Sequence, residues 1–395
     1  MSATTGAGAD LVLLPDDVEE DLRASLDRAL AARCTPARVA AAYDGDESLA
    51  GELWTALVDL GLPALLVPEE HGGAGAGARE AAAVLDVLAR HAAPVPYLSS
   101  AVVAATTLTA LGAGGLLGDL AAGGTAALLV PATLHRADDV VPLVRHDDGT
   151  VSGSVRSVTG VAGGVPAGVL LVPVAGPDGA DGADGADGAA LVAVRPGDPG
   201  VDVAPVVSLD MTAPLADVRL DRAPATELPG DARAAVSAGL AAGAALGASA
   251  LAGTATWALT TTVAYLQQRR QFGRVVGGYQ ALKHRLADLY AEVEQATATA
   301  RYAAAALAAD DPDLAVATAV AQSWCSEVAV HATEEAVQLH GGLGMTWEHP
   351  CHLHLKRARA GALVLGSPAA HRDDLATLVD LPPPHPDQGG SPSWT

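Results

Sequence analysis

From Ala234 to Leu266 the chain reads AAVSAGLAAGAALGASALAGTATWALTTTVAYL without one charged side chain. A stretch that long and that apolar needs cover on every side, from lipid or from other helices. Its Gly, Ala, Ser and Thr content dilutes the hydrophobicity of a membrane span and lets neighbours approach closely, so the reading is a buried helix of a bundle. Composition agrees: 50% of residues are hydrophobic but 3% are aromatic, which leaves Ala, Val and Leu to build the core. Phe272 is the only phenylalanine.

The 395 residues suffice for two or three domains, since domains run about 100 to 200 residues. Helical spacing of apolar residues fills DDVEEDLRASLDRALAARC, SLAGELWTALVDLGL and AREAAAVLDVLARHAAPVPYLSSAVVAATTLTALG, with a Pro- and Gly-punctuated loop at Leu65–Gly77. Near Gly123 the character changes to short β-branched runs such as GVLLVPVAG and VDVAPVVSL, the pattern of an antiparallel barrel or sandwich. Long helical patterns return after Asp231. The expected layout is a helical domain at 1–122, a β domain at 123–225, a helical bundle at 226–380 and a disordered tail at 381–395. Inside the β domain, DGADGADGADG at 178–188 reads as a flexible hairpin tip.

A net charge of −23, with only Lys283 and Lys356 as lysines, argues against nucleic acid as a partner. Cys34, Cys325 and Cys351 are too few and too scattered for a disulfide framework or a zinc site, and fit a cytoplasmic protein. MSATTGAGADLVLLPDD has neither the basic start nor the apolar core of a signal peptide. His340, His349, His352 and His354 lack a complete ligand spacing, so no metal is expected.

Two late segments carry the chemistry. YLQQRRQFGRVVGGYQALKHRLADLY and QLHGGLGMTWEHPCHLHLKRA, together with the order helices, β domain, helices, resemble the acyl-CoA dehydrogenase family over about residues 16–380. The Trp-Glu-His wording is closest to a bacterial branch with steroid- and side-chain-degrading members. The resemblance implies a mainly helical fold with a middle β domain and a C-terminal four-helix bundle. It also implies FAD as cofactor, an acyl-CoA thioester as substrate, and a homo- or hetero-tetramer with a homologous subunit. An electron-transfer flavoprotein is among the partners it allows, and no membrane is. Carried over residue by residue, Arg269 grips the flavin pyrophosphate, Phe272 packs against the dinucleotide and Gln280 contacts its adenosine part. Gln338, Gly341 and Gly342 belong to the segment whose glycines serve the flavin of the neighbouring subunit. Taken alone, Arg269 could be a solvated helix end and the Gly-Gly pair a helix C-cap.

The pattern fails at the base. Dehydrogenation needs a carboxylate to take the α-proton, and the family's positions for it fall on Leu365, or on Gly243 or Ala250 in the uncharged run. Glu348 is the acid nearest the motif, in a place that also reads as structural. The family's Thr-Glu-Pro-x-x-Gly-Ser segment is replaced by AALLVPATLHRADD. Three readings stay open: an active dehydrogenase with a displaced base, a catalytically silent partner subunit of a heteromer, and a non-redox protein on the same fold.

Overall fold

The computed structural model describes residues 11–175 and 189–382. The chain begins with α1 (Asp17–Ala31), whose start is fixed by a reciprocal cap: Asp16 Oδ1 accepts from Glu19 N–H at 2.9 Å, and the Glu19 carboxylate accepts from Asp16 N–H at 3.0 Å. Then follow α2 (Pro36–Ala41), α3 (Ser48–Asp59) and α4 (Ala78–Arg90). Pro94 and Pro96 break the helical run, after which a π-helical segment, Tyr97–Ala104, leads into α5 (Ala105–Leu111) and then α6 (Gly114–Ala121).

Eight strands come next: β1 (Ala126–Leu128), β2 (Val144–Arg145), β3 (Val151–Thr159), β4 (Val169–Ala175), β5 (Ala189–Val194), β6 (Val201–Val206), β7 (Leu215–Ala223) and β8 (Thr226–Glu227). They form two four-stranded sheets in the orders β1-β4-β5-β8 and β2-β3-β7-β6. Leu170, Val172, Val192, Val218 and Leu220 fill the core between them. Among the described residues the strands of these sheets pair antiparallel except β1 with β4, which pair parallel, as does an isolated bridge from Leu143 to Val174 of β4. The sequence reading of an antiparallel domain therefore needs that one correction; β2 and β3 lie in the connection from β1 to β4, long enough for the crossover that a parallel pair requires. The 178–188 insertion, and all of the 381–395 tail beyond residue 382, lie outside the described residues.

The uncharged run forms α7 (Ala232–Gln268), capped by Asp231, whose side chain accepts from Ala234 N–H. In its most apolar window 72% of residues are buried inside the protein, as expected of a bundle helix. After α7 come a hairpin of β9 (Arg270–Gln271) and β10 (Arg274–Val275), then α8 (Gln280–Ala308), α9 (Leu314–His340), α10 (Cys351–Gly361) and α11 (Pro368–Leu378). Alanines make the close packing: Ala245, Ala248, Ala255, Ala303, Ala321 and Ala329 are all inaccessible in one cluster. Gly253 has a specific job, since a Cβ there would lie 2.4 Å from the carbonyl oxygen of Asp86 on α4. Helix α7 thus packs against the first helices and the last, and the walls of one cavity are built along it.

Candidate active site and dinucleotide edge

A cavity of about 450 Å³ opens where the first helices, the β domain and the last helices meet. Ala250 and Leu365 both line it. Gly243 sits behind them: a Cβ there would lie 2.6 Å from Val103 Cγ2 and 2.8 Å from Leu365 Cδ1. Of the three positions named for a catalytic carboxylate, two therefore line this cavity and the third lies behind Leu365, and all three are apolar. Leu365 is 7% exposed and has φ of 57°, a left-handed conformation costly for a leucine. It is held there from both sides: its N–H donates to Ala132 O at 2.8 Å, and His371 Nε2 bonds its carbonyl at 2.8 Å. Ala132 belongs to AALLVPATLHRADD, so this departing segment does reach the cavity and supplies Thr133 to its lining.

Three carboxylates line the cavity elsewhere, on the loop before α3 and on the loop between β6 and β7. Asp210 is 2% exposed and committed, its Oδ1 accepting from Thr212 N–H at 2.9 Å and Thr212 Oγ1 at 2.6 Å. Asp46 is exposed, and the Ser48 hydroxyl and N–H hold its carboxyl below the usual range. Glu47 is exposed as well. Glu348 is exposed and outside the lining.

The dinucleotide candidates form a second group. Arg269 caps the C-terminus of α7 with its N–H on Tyr265 O, and the β9–β10 hairpin follows directly. Phe272, at the hairpin turn, has φ of 51° and is 90% exposed. Gln280 is the first residue of α8, its Nε2 2.8 Å from His284 Nε2. Tyr265 ties this end of α7 to the end of α9: its ring stacks on His340 with centroids 4.4 Å apart, next to Gly341. Gln338 and both glycines 341 and 342 are exposed. Gly341 has φ of 61° and ψ of −138°, a conformation that excludes a side chain. Gly342 has no such constraint, and nothing lies within 4 Å of a Cβ built on it. Arg269, Arg270, Phe272, Gln280 and Gly341 thus share one end of the bundle. Ala250 is about 28 Å away along α7, at a rise of about 1.5 Å per residue.

Beside this edge, donor atoms of His340, His349 and Cys351 come within 4.8 Å of one another. His340 Nδ1 donates to Ala336 O at 2.7 Å, and it is this committed nitrogen that faces Cys351 Sγ at 3.7 Å. The two imidazoles lie with centroids 4.3 Å apart and planes at 42°, so their in-plane lone pairs do not converge. Burial pushes the His349 ring down to about 4 and the Cys351 thiol up to about 12. The donor set is that of a packed cluster.

Gln322 of α9 was not singled out by the sequence. It is 2% exposed, donates Nε2–H to Ala244 O at 2.7 Å across the α7–α9 contact, and lines the cavity. The available signal was a lone amide amid the alanines and serines of AVAQSW.

Residues 16–114 match the acyl-CoA dehydrogenase N-terminal domain, and residues 233–379 match the acyl-CoA dehydrogenase C-terminal domain. The chain belongs to the acyl-CoA dehydrogenase family. Acyl-CoA dehydrogenase IpdE2 of Mycolicibacterium smegmatis is 32% identical over 91% of this chain and 97% of its own length. FadE34 of Mycobacterium tuberculosis is 33% identical over 80% of this chain, but the match spans only 40% of FadE34. Among solved structures, the ChsE4–ChsE5 complex from Mycobacterium tuberculosis aligns with a TM-score of 0.81 at 27% identity over 94% of this chain and all of that one. A Mycobacterium smegmatis glutaryl-CoA dehydrogenase in complex with FADH2 shares the fold, with a TM-score of 0.77 at 18% identity over 93% of this chain and 95% of that one. For an acyl-CoA dehydrogenase, the hairpin suits a flavin dinucleotide. Among the described residues no ion pair engages Arg269, Arg270 or Arg274, in a chain of net charge −23. The Arg274 guanidinium is engaged, donating to Gly278 O at 3.0 Å and lying 3.7 Å from the Tyr279 ring centroid; those of Arg269 and Arg270, near Gly342, have the chemistry to receive a pyrophosphate brought close to backbone.

Proposed function

We propose that this chain acts in the α,β-dehydrogenation of an acyl-CoA thioester as the silent member of a heteromeric flavin-dependent dehydrogenase, with the base supplied by a homologous partner chain. One observation carries this: Ala250 and Leu365 line the cavity, Gly243 lies directly behind Leu365, and none of the three can take a proton. FAD, when bound, accepts the β-hydrogen as hydride. What this chain contributes is binding. Arg269 would hold the pyrophosphate as a bidentate donor, Gln280 the adenosine part, and Gln338 with Gly341 and Gly342 an edge for close backbone approach. These groups sit about 22 Å of helix from Thr254, the nearest α7 residue in the lining of the chain's own cavity, so the flavin they hold has its reactive ring in a second chain. Phe272, 90% exposed here, is covered in such an assembly. The ChsE4–ChsE5 complex, a relative built from two chains, supports this reading. Three buried free thiols agree with a reducing, cytoplasmic setting.

Co-expression with an adjacent homologous gene product that carries an acid at the position matching Leu365 tests the assembly. The expected result is co-purification of both chains in equal amount with bound FAD. A stable single-chain protein that holds its full complement of flavin alone contradicts the proposal.

A further inference from the structure

Arg90 holds the carboxylate of Asp86 along one edge of its guanidinium, with Nε donating to Oδ1 at 3.0 Å and Nη2 to Oδ2 at 2.9 Å. On the cavity wall the half-buried Arg357 of α10 leaves the same edge open. Its Nη1 is the committed nitrogen, donating to Thr212 Oγ1 at 2.9 Å and lying 3.5 Å from Ala93 O, and both partners are buried residues of the lining. Among the described residues Nε and Nη2 make no hydrogen bond, no ion pair engages the group, and neither nitrogen is sealed from solvent. The charge around it is unbalanced as well. Asp210 meets Arg357 through Thr212, whose hydroxyl donates to Asp210 Oδ1 at 2.6 Å. Lys356 lies in the field of the same carboxylate, its ammonium 4.4 Å from the ring centroid of Tyr43 and 4.2 Å from that of Trp347, with no ion pair among the described residues. One carboxylate thus faces two cations, in a chain of net charge −23. A guanidinium drawn partly out of water, with two parallel donors unused, calls for an anion of matching shape.

We infer that this cavity takes an acyl group carrying a second carboxylate, the mono-CoA thioester of a dicarboxylic acid, with that carboxylate on the Nε–Nη2 edge of Arg357. The inference rests on the reading that the cavity binds an acyl-CoA thioester. The exposed residues Asp46, Glu47, Arg359 and Leu363 mark the open side, where the polar CoA part would lie. The two acids among them stand in water, which screens them from the ligand. Arg357 reaches further in, between buried Ala93 and Thr212. The contact is an ion pair in which no bond is made or broken, so the site works in a chain without a base.

The test is isothermal titration of the protein, purified with the flavin and partner chain it retains, with free CoA and two matched series of ligands. One series is the plain acyl-CoAs from butyryl to decanoyl; the other is the mono-CoA thioesters of the dicarboxylic acids from succinic to sebacic. At the chain length that fits, the dicarboxylic compound should bind about 10- to 100-fold tighter than its plain counterpart, the effect of hydrogen bonds between charged groups. Arg357→Met should bring that ratio to one or below. Arg357→Gln, which keeps a donor for Thr212 but not the charge, should do the same and replaces Arg357→Met if that variant fails to fold. Equal binding of both series by the wild type at every length, or a preference that survives in either variant, overturns the inference and leaves the thioester reading in place. A loss in the variants that is equal for free CoA and for both series assigns Arg357 to a CoA phosphate and overturns it too. Binding of neither series overturns both readings.

Discussion

A Cβ on Gly243 would lie 2.8 Å from Cδ1 of Leu365, so these two positions, 122 residues apart, compete for one space behind the cavity wall. A side chain can occupy that space from α7 or from the loop after α10, but not from both. In this chain the leucine fills it.

That competition is measurable in stability. Gly→Ala in an open helix is worth up to about 1 kcal/mol of stabilisation. Gly243→Ala should instead destabilise by about 1 to 3 kcal/mol, through overpacking against Leu365 and Val103. Leu365→Ala alone should cost about 2 to 4 kcal/mol. In the double variant the two penalties should fall short of additive by about 1 kcal/mol or more, read from urea unfolding. Strict additivity means the side chains do not share the space.

Arg269→Ala removes an unpaired guanidinium from the hairpin that follows α7. It should weaken FAD binding by about 1.5 to 3 kcal/mol, with folding unchanged because the side chain makes no ion pair in the described structure. Flavin fluorescence titration on the assembled protein, at two salt concentrations, is the measurement. An unchanged affinity removes Arg269 from the site.

The neighbouring glycines should separate under the same substitution. Gly341→Ala, at φ of 61° and ψ of −138°, should lose about 1 to 3 kcal/mol of stability. Gly342→Ala meets nothing within 4 Å and should melt like the wild type, yet weaken flavin binding or assembly. Thermal melts read the first effect and flavin titration the second.

Acid should loosen the fold through a buried histidine. His354 is 3% exposed, stacked on Trp257 with centroids 3.4 Å apart, and burial pushes it down to about 3. A histidine neutral in the fold but titrating near 6.5 when unfolded leaves the unfolded chain with more bound protons below that pH. Its contribution to stability is therefore complete above about pH 6.5 and is lost as pH falls toward 3. The wild type should lose on the order of 1 kcal/mol per pH unit from this residue across that window. His354→Leu should flatten the slope of stability between pH 6.5 and 5; an unaltered slope assigns the acid sensitivity elsewhere.

Much of this architecture was legible because α7 and the β-branched strands have single solutions: an uncharged run of small residues must be surrounded, and period-2 segments must pair. The parallel β1–β4 pairing was not legible, since strand direction depends on the path of a connection whose course no local pattern records. Arg269, Phe272 and Gln280 could be named as candidates because they fall within one short motif that resembles the family's. Gln322 escaped because its meaning lies in a contact with Ala244, 78 residues away, and in an unpartnered oxygen that only three-dimensional packing reveals. The sequence did say that the base positions are apolar; that two of them line one cavity with the third packed behind Leu365 required the fold.

The central claim is that this wall holds no base. Anaerobic bleaching of the flavin by a panel of acyl-CoAs, recorded for the chain reconstituted with FAD alone and for its co-expressed assembly, tests it most directly. The isolated chain should bleach slower by a factor of about 10² to 10⁴ or more, the usual loss when a positioned acid–base group is missing, and the assembly should bleach at an enzyme's ordinary rate. Rapid bleaching by the isolated wild-type chain, abolished by Glu348→Gln, would contradict the account and make Glu348 the base.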